Sequence, residues 1–318
     1  MSLGPRIDPE RPMNTLVYLG AYNGERFIQS QINSILAQFA RVDLVISDDG
    51  STDSTEALVH ACQASNSNVY LVQGPRNGFG ANFLSVFTRS DIDLGRYQFI
   101  AFSDQDDVWD RDHLNHAIAA LLQIRGPAVF GSKTRWVDTE LQELGHSSRI
   151  GRELHFANAL IESFAGGNTM VLNAEAVGLL RRLLTKVQFT QKLSHDWLIY
   201  QIISGVGGRV LFSNTSRVAY RQHDGNFLGE NRSFRARFTR FELLIRGEFR
   251  SRVDHHVALL DQVKLSLTER NRLVFAEFQN ARNKNGLARL IWFCRSPLRR
   301  ESYLETMLFA LFFALGLV

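Results

Sequence analysis

The chain has 318 residues, 45% hydrophobic and 21% charged, with a net charge of +4 at pH 7. Such a composition buries a sizeable core, as one large domain or a domain plus an appendage, and excludes a disordered chain. The two cysteines, Cys62 and Cys294, are far apart and form neither a disulfide framework nor a thiolate cluster for zinc, so a reducing cytosol is the expected compartment and both are read as packing residues.

Residues 1–12, "MSLGPRIDPERP", lack the apolar core of a signal peptide and are read as a vector-derived remnant or disordered leader, set apart from the fold. Beyond them, "TLVYLGAY", "VDLVISDDG", "NVYLVQG" and "YQFIAFSDQDD" are short β-branched or aromatic runs that end in polar or glycine-containing sequence. Helical patterns separate them: "ERFIQSQINSILAQ" gathers Phe27, Ile28, Ile32, Ile35 and Leu36 on one face, and "STEALVHACQ" and "NFLSVFTRS" behave alike. Strands alternating with helices predict an α/β fold with a mostly parallel central sheet covered on both sides, where ligands sit beyond the carboxyl ends of the strands.

Acidic groups collect at such ends. "SDDGSTD" follows one strand, and "FSDQDDVWD" brings Asp104, Asp106, Asp107 and Asp110 together after another. Closely spaced carboxylates repel, so a cation is expected to compensate them, and Mg²⁺ prefers one or two carboxylates plus phosphate oxygens. A metal with a diphosphate ligand fits, although capping of a following helix explains the same acids. In "DDGSTD" either Ser51 or Asp53 is placed to cap the next helix. "RNGFGANF" offers Asn77 and Asn82 around two glycines at a helix entry, a site that favours anionic groups. No P-loop sequence occurs, and "GFG" lacks the remainder of a dinucleotide fingerprint.

The C-terminal part reads differently. From Arg232 to Arg300 there are 16 Lys/Arg against 6 Asp/Glu, an excess of +10 that leaves −6 for the rest of the chain. Amphipathic helices are expected from Ser233 onward, with His255 and His256 on a helix surface or in packing. The apolar run from Met307 to Val318 is 12 residues, short of the roughly 20 a spanning helix requires. Basic helices followed by that tail suit an anionic membrane surface; sealing a homodimer or covering the catalytic core are the competing uses. No nucleic-acid-binding motif is present, and nucleic acid is excluded as a partner.

Taken in order, "LGAYNGERFIQSQINSILAQ", "VISDDGSTDST", "NGFGANF", "FSDQDDVW", "GGNTMVLN", "HDWLIY" and "YRQHDGN" resemble family 2 glycosyltransferases of the GT-A fold, most closely the bacterial rhamnosyltransferase-like branch. The resemblance covers Thr15 to Asn226. It implies a GT-A catalytic domain over 13–230 and a C-terminal helical, basic extension over 231–318. It implies an inverting, metal-dependent hexosyltransferase using Mg²⁺ or Mn²⁺ in cell-surface polysaccharide synthesis. The implied donor is a nucleoside-diphosphate sugar, dTDP-rhamnose first, and the acceptor a saccharide or lipid-linked saccharide. The expected location is the cytoplasm or the inner face of the cytoplasmic membrane. Alternatives are a UDP-hexose donor, or a relative that binds sugar nucleotide without catalysis.

By the same resemblance Ala21, Tyr22, Asp48, Asp49, Asn77, Asn82, Asp104, Gln105, Arg221 and Gln222 bind the nucleotide sugar. Asp106 and His223 hold the metal, with Asp107 as a supporting or capping residue. Gly166, Gly167, Asn168, His195 and Trp197 face the acceptor, and Asp196 is the catalytic base. His195 stands where many relatives carry Glu. Inverting transfer needs such a base, because the acceptor oxygen becomes a good nucleophile only as its proton departs. The Q-x-x-R-W signature of processive synthases is missing, as is the glycine-rich opening loop of nucleotidyltransferases.

Overall fold

The computed structural model describes residues 14–223 and 247–318. Strand β1 (Thr15–Ala21) is buried along almost its whole length, as expected of a parallel strand covered on both faces. Its alternating side chains feed two cores: Leu16 and Tyr18 join one apolar cluster, Val17 and Leu19 the other. β1 pairs in parallel with β2 (Val42–Asp48) on one side and β4 (Phe99–Ser103) on the other, and β2 pairs with β3 (Val69–Gln73). All four expected strands are present.

Beyond β4 come β5 (Val108–Trp109), β6 (Ala128–Ser132), β7 (Arg135–Val137), β8 (Glu143–His146), β9 (Val171–Asn173), β10 (Arg209–Ser213) and β11 (Val218–Arg221). The main sheet has seven strands in the order β10-β6-β9-β4-β1-β2-β3, with β9 antiparallel to both neighbours. A second sheet of order β5-β11-β7-β8 sits beside it.

Helices α1 (Ile28–Leu36), α2 (Thr55–Ser65), α3 (Gly78–Leu84), α4 (His113–Leu121), α5 (Phe156–Ala159), α6 (Ala174–Leu184) and α7 (His195–Gly205) cover the sheet. Gly80 of α3 lies against the backbone before α7, where a Cβ would come within 1.7 Å of the Leu193 carbonyl oxygen. Those two elements therefore touch at backbone distance.

The C-terminal helices are α8 (Glu248–Val263), α9 (Glu269–Arg282), α10 (Gly286–Arg295) and α11 (Tyr303–Ala314). α8 and α10 are amphipathic as expected, whereas α11 is apolar on both faces; all four share the core of the preceding part, for Leu260, Phe275, Phe293 and Phe313 belong to the same buried cluster as Tyr18 and Phe102. The opposite face of α11 leaves Tyr303, Leu304, Met307, Leu308, Leu311 and Leu315 exposed. Among the described residues no helix is long and apolar enough to cross a membrane. Cys62 is buried, whereas Cys294 is exposed, which corrects its reading as a packing residue. Asn226, the helix expected before Gly247, the leader and the boundary at 230/231 lie outside the described residues.

Candidate active site

The register of the main sheet brings the strand ends to one rim. Ala21 of β1 is level with Asp48 of β2, and Leu19 with Ser103 of β4, so the loops after all three strands meet. Two cavities open there. One, of about 860 Å³, is walled by Ala21, Tyr22, Asp49, Asn82, Gln105 and Asp106. The other, of about 670 Å³, is walled by Gly166, Gly167, Asn168, His195 and Asp196. Asp104, Phe79 and Tyr220 line both.

Asp104 therefore stands at the junction. Burial pushes its carboxyl up to about 7, with the nearby charges of Asp106 and Asp196 adding to the rise. Asp107 is fully buried and pushed well up, first by burial and then by Asp106 and Asp104; it accepts from the Asn168 side-chain amide and from the Arg221 backbone N–H at 3.3 Å. Its task is to tie β11 and the glycine loop to the acidic turn.

Asp106 Oδ2 lies 2.8 Å from His223 Nε2, joining the two residues assigned to the metal. Among the described residues no group of three or more His, Cys, Asp or Glu forms a metal cage. A pair of protein ligands beside carboxylates whose mutual repulsion raises their affinity for protons fits a divalent cation that takes its remaining oxygens from a diphosphate.

Asp196 lies in the first turn of α7, behind the N-cap Ser194, and its Oδ2 accepts from Ser163 Oγ at 3.0 Å. Ser163 was not singled out in the sequence; it sits three residues before the Gly166-Gly167 pair, and its neighbour Glu162 holds Arg300 at 2.9 Å. Arg300, Glu301, Ser302 and Glu305, from the joint between α10 and α11, complete the second cavity. No local sequence signal marks them, because they reach the site only through folding.

Several of the residues expected to contact ligand also hold the fold together. The Asp48 carboxylate is fully buried, accepts the backbone N–H groups of Gly50 and Ser51, and does not line the cavity. Asp49 faces the cavity but accepts from Arg76 N at 2.6 Å and Gly78 N at 2.8 Å, so it already occupies the entry of α3; burial nevertheless raises its pKa. Asp53, rather than Ser51, accepts from the Thr55 N–H at the start of α2. Asn77 donates to the Phe189 carbonyl, and Asn82 bonds the end of β2 through Ser47. The Gln105 amide clamps the Tyr22 backbone through both its atoms, at 2.8 and 3.0 Å.

Arg221 is buried, donates to the Asp106 carbonyl and lies over the Phe27 ring, and the Gln222 amide nitrogen is buried; neither residue lines either cavity. Trp197 is a core residue whose indole N–H donates to the Ala159 carbonyl at 2.6 Å. The His195 ring packs against Phe83 and Phe102, with centroids at 4.1 and 5.3 Å, and burial holds it down to about 4. It is a neutral wall under Gly167, where a Cβ would come within 2.0 Å of Nε2.

Solved structures of like shape define the class. GalNAc-T7 with UDP, GalNAc and Mn²⁺ superposes with a TM-score of 0.52 at 14% identity, over 74% of this chain and 48% of that one. TarS 1-349 of S. aureus in complex with UDP gives 0.50 at 16% identity, over 88% and 78%. The fold is thus that of GT-A glycosyltransferases. The profile of "Glycosyl transferase family 2" matches residues 17–187, and the chain belongs to that family. Among its relatives, "dTDP-rhamnosyl transferase RfbG" of Shigella flexneri is 27% identical over 241 residues, 74% of this chain and 82% of that protein. The "Putative teichuronic acid biosynthesis glycosyltransferase TuaG" of Bacillus subtilis is 22% identical over 56% and 68%.

Proposed function

We propose that this glycosyltransferase moves a sugar, with inversion, from a nucleoside-diphosphate sugar to a hydroxyl of a saccharide or lipid-linked saccharide during cell-surface polysaccharide assembly. The carrying observation is Asp104 at the junction of two cavities, with Asp106 and His223 beside one and Asp196 with Ser163 in the other. The first cavity takes the donor: Ala21, Tyr22, Asp49 and the acidic turn wall it, and Gln105 keeps Tyr22 in place. The second takes the acceptor.

Asp106 and His223 would hold a divalent cation, which would supply neutralisation of the charge that develops on the leaving diphosphate. Asp196 accepts the acceptor's hydroxyl proton while that oxygen bonds the anomeric carbon from the face opposite the departing diphosphate. Ser163 fixes one carboxylate oxygen of Asp196 and leaves the other for the proton. His195, held neutral by burial, adds no positive charge beside Asp196.

dTDP-rhamnose is the donor we favour, on the likeness to RfbG. A UDP-hexose is the second reading, supported by 29% identity over 117 residues to a "UDP-Glc:alpha-D-GlcNAc-diphosphoundecaprenol beta-1,3-glucosyltransferase WfgD" of Escherichia coli. We also propose that the exposed face of α11 meets the inner surface of the cytoplasmic membrane, supported by its six large apolar side chains and by the basic excess of the C-terminal part. The test is a nucleotide-sugar panel with Mg²⁺ or Mn²⁺, read by thermal shift and donor hydrolysis. dTDP-rhamnose should stabilise the chain most, and EDTA should remove the effect; indifference to every sugar nucleotide would reject the reading.

A further inference from the structure

We infer that His256, on α8, is a positioning residue that holds the start of α7 and thereby the orientation of Asp196. The inference rests on the reading of Asp196 as the base. His256 is 1% exposed, and its Nε2 lies 3.2 Å from the backbone nitrogen of Ser194, the N-cap residue of α7. An amide nitrogen only donates, so Nε2 accepts; Nδ1 then carries the proton and donates to Gln201 Oε1 at 2.9 Å. One tautomer of a neutral ring is thereby fixed. Burial, which depresses this imidazole to about 3, favours the same form.

The ring also packs against Trp197 at a tilt of 34°, with centroids 4.4 Å apart. His256 thus holds Ser194, Trp197 and Gln201, positions spaced i, i+3 and i+7 along one stripe of α7. Trp197 and Gln201 in turn both donate to the Ala159 carbonyl, at 2.6 and 3.1 Å, which ties the stripe to α5. Asp196 lies off this stripe and lines the second cavity. Ser194 has no side-chain cap bond of its own, so an imidazole from the C-terminal helices sets the backbone two residues before the base.

The test compares His256→Phe, which keeps a ring against Trp197 and removes the acceptor, with His256→Gln, whose side-chain oxygen extends far enough to accept from Ser194. With dTDP-rhamnose and Mn²⁺, the Phe variant should hydrolyse donor with kcat at least tenfold lower and KM within twofold of the parent. The Gln variant should recover to within threefold. Amide hydrogen exchange over residues 190–200 should quicken in the Phe variant and stay slow in the Gln variant. A Phe variant with parental kcat, a loss carried by KM, or a Gln variant as slow as Phe would overturn the proposal. If the Phe variant fails to fold, His256→Asn, too short to reach Ser194, takes its place against Gln. Asp196→Asn is run beside them: if it hydrolyses donor normally, the base reading fails, and hydrogen exchange alone then decides for or against His256.

Discussion

Asp106 Oδ2 and His223 Nε2 face each other across 2.8 Å on the donor side of Asp104. The contact joins the turn after β4 to the end of β11, elements of two different sheets. If these atoms share a cation with the donor, Asp106→Asn removes the link between metal and nucleotide. A donor at a hundredfold excess over Kd stabilises a fold by about 2.7 kcal/mol. Thermal melts with dTDP-rhamnose and Mn²⁺ should show most of that gain lost in the variant, with EDTA lowering only the parent. Equal shifts in both proteins would remove Asp106 from the metal.

Asp196→Asn keeps the shape of the side chain and removes its ability to take a proton. Donor binding should persist while transfer falls by about 10²–10⁴-fold. Ser163→Ala deletes the 3.0 Å bond that orients the carboxylate, along with a longer 3.3 Å contact to the Ala165 carbonyl, so its loss should be near tenfold, the value of about one hydrogen bond. Initial rates at saturating donor separate the two. An Asp196→Asn enzyme with parental turnover would move the base elsewhere.

The parallel half of the sheet was legible because its strands are short, mainly apolar or β-branched runs that give way to polar or glycine-containing sequence, as "TLVYLGA" does before Tyr22-Asn23-Gly24 and "VDLVISD" before Asp49-Gly50. The acidic rim was legible for the same reason. What the sequence concealed is how each polar group is used. Asp48 and Asp49 look equivalent in "SDDG", yet backbone N–H groups surround the first in a buried loop while the second also reaches the cavity. Arg221 reads as a phosphate ligand, and nothing local shows that its buried guanidinium also bonds the carbonyls of Asp106 and Thr139. Contacts such as Ser163 with Asp196, or Arg300 with Glu162, join positions 33 and 138 residues apart and leave no local pattern.

The outer face of α11 supplies a third prediction. Met307, Leu308 and Leu311 are 54%, 45% and 51% exposed, while Phe309 and Phe313 on the other face are buried. Leu308→Glu with Leu311→Glu therefore changes the surface without opening the core. Each apolar side chain entering lipid contributes about 1.5–3 kcal/mol, so the double variant should lose more than tenfold in partition to vesicles containing anionic lipid. Flotation measures this, and the thermal midpoint should move little. Unchanged flotation would reject the membrane face; a change in oligomeric state without any vesicle binding would assign the face to a second copy.

Gly80 offers a test of how the two cavities are held together. A Cβ at this position would stand 1.7 Å from the Leu193 carbonyl oxygen, a backbone atom that cannot rotate aside. Gly80→Ala must push α3 away from the segment that leads into α7. Strain of this kind typically costs about 1–3 kcal/mol. The variant should melt several degrees lower and lose transfer beyond what its folded fraction explains, because Asp196 follows Leu193 by three residues. A variant with parental stability would mean that α3 and the α7 entry do not touch.

His113 provides the pH test. It is almost wholly buried against Trp109, its Nε2 has no partner among the described residues, and burial lowers its pKa to about 3 from the ordinary 6.5. The unfolded chain binds the proton more readily, so the neutral ring's stability is complete above pH 6.5 and is lost as pH falls from there toward 3. At pH 5 the difference is about 2 kcal/mol, from 1.5 pH units at about 1.4 kcal/mol each. His113→Phe keeps the ring volume and the Trp109 contact while removing the titration. Urea unfolding at pH 7 and pH 5 should show the variant gaining about 2 kcal/mol on the parent over that interval. A constant difference between the two proteins would mean that the imidazole is hydrated or already charged in the folded state.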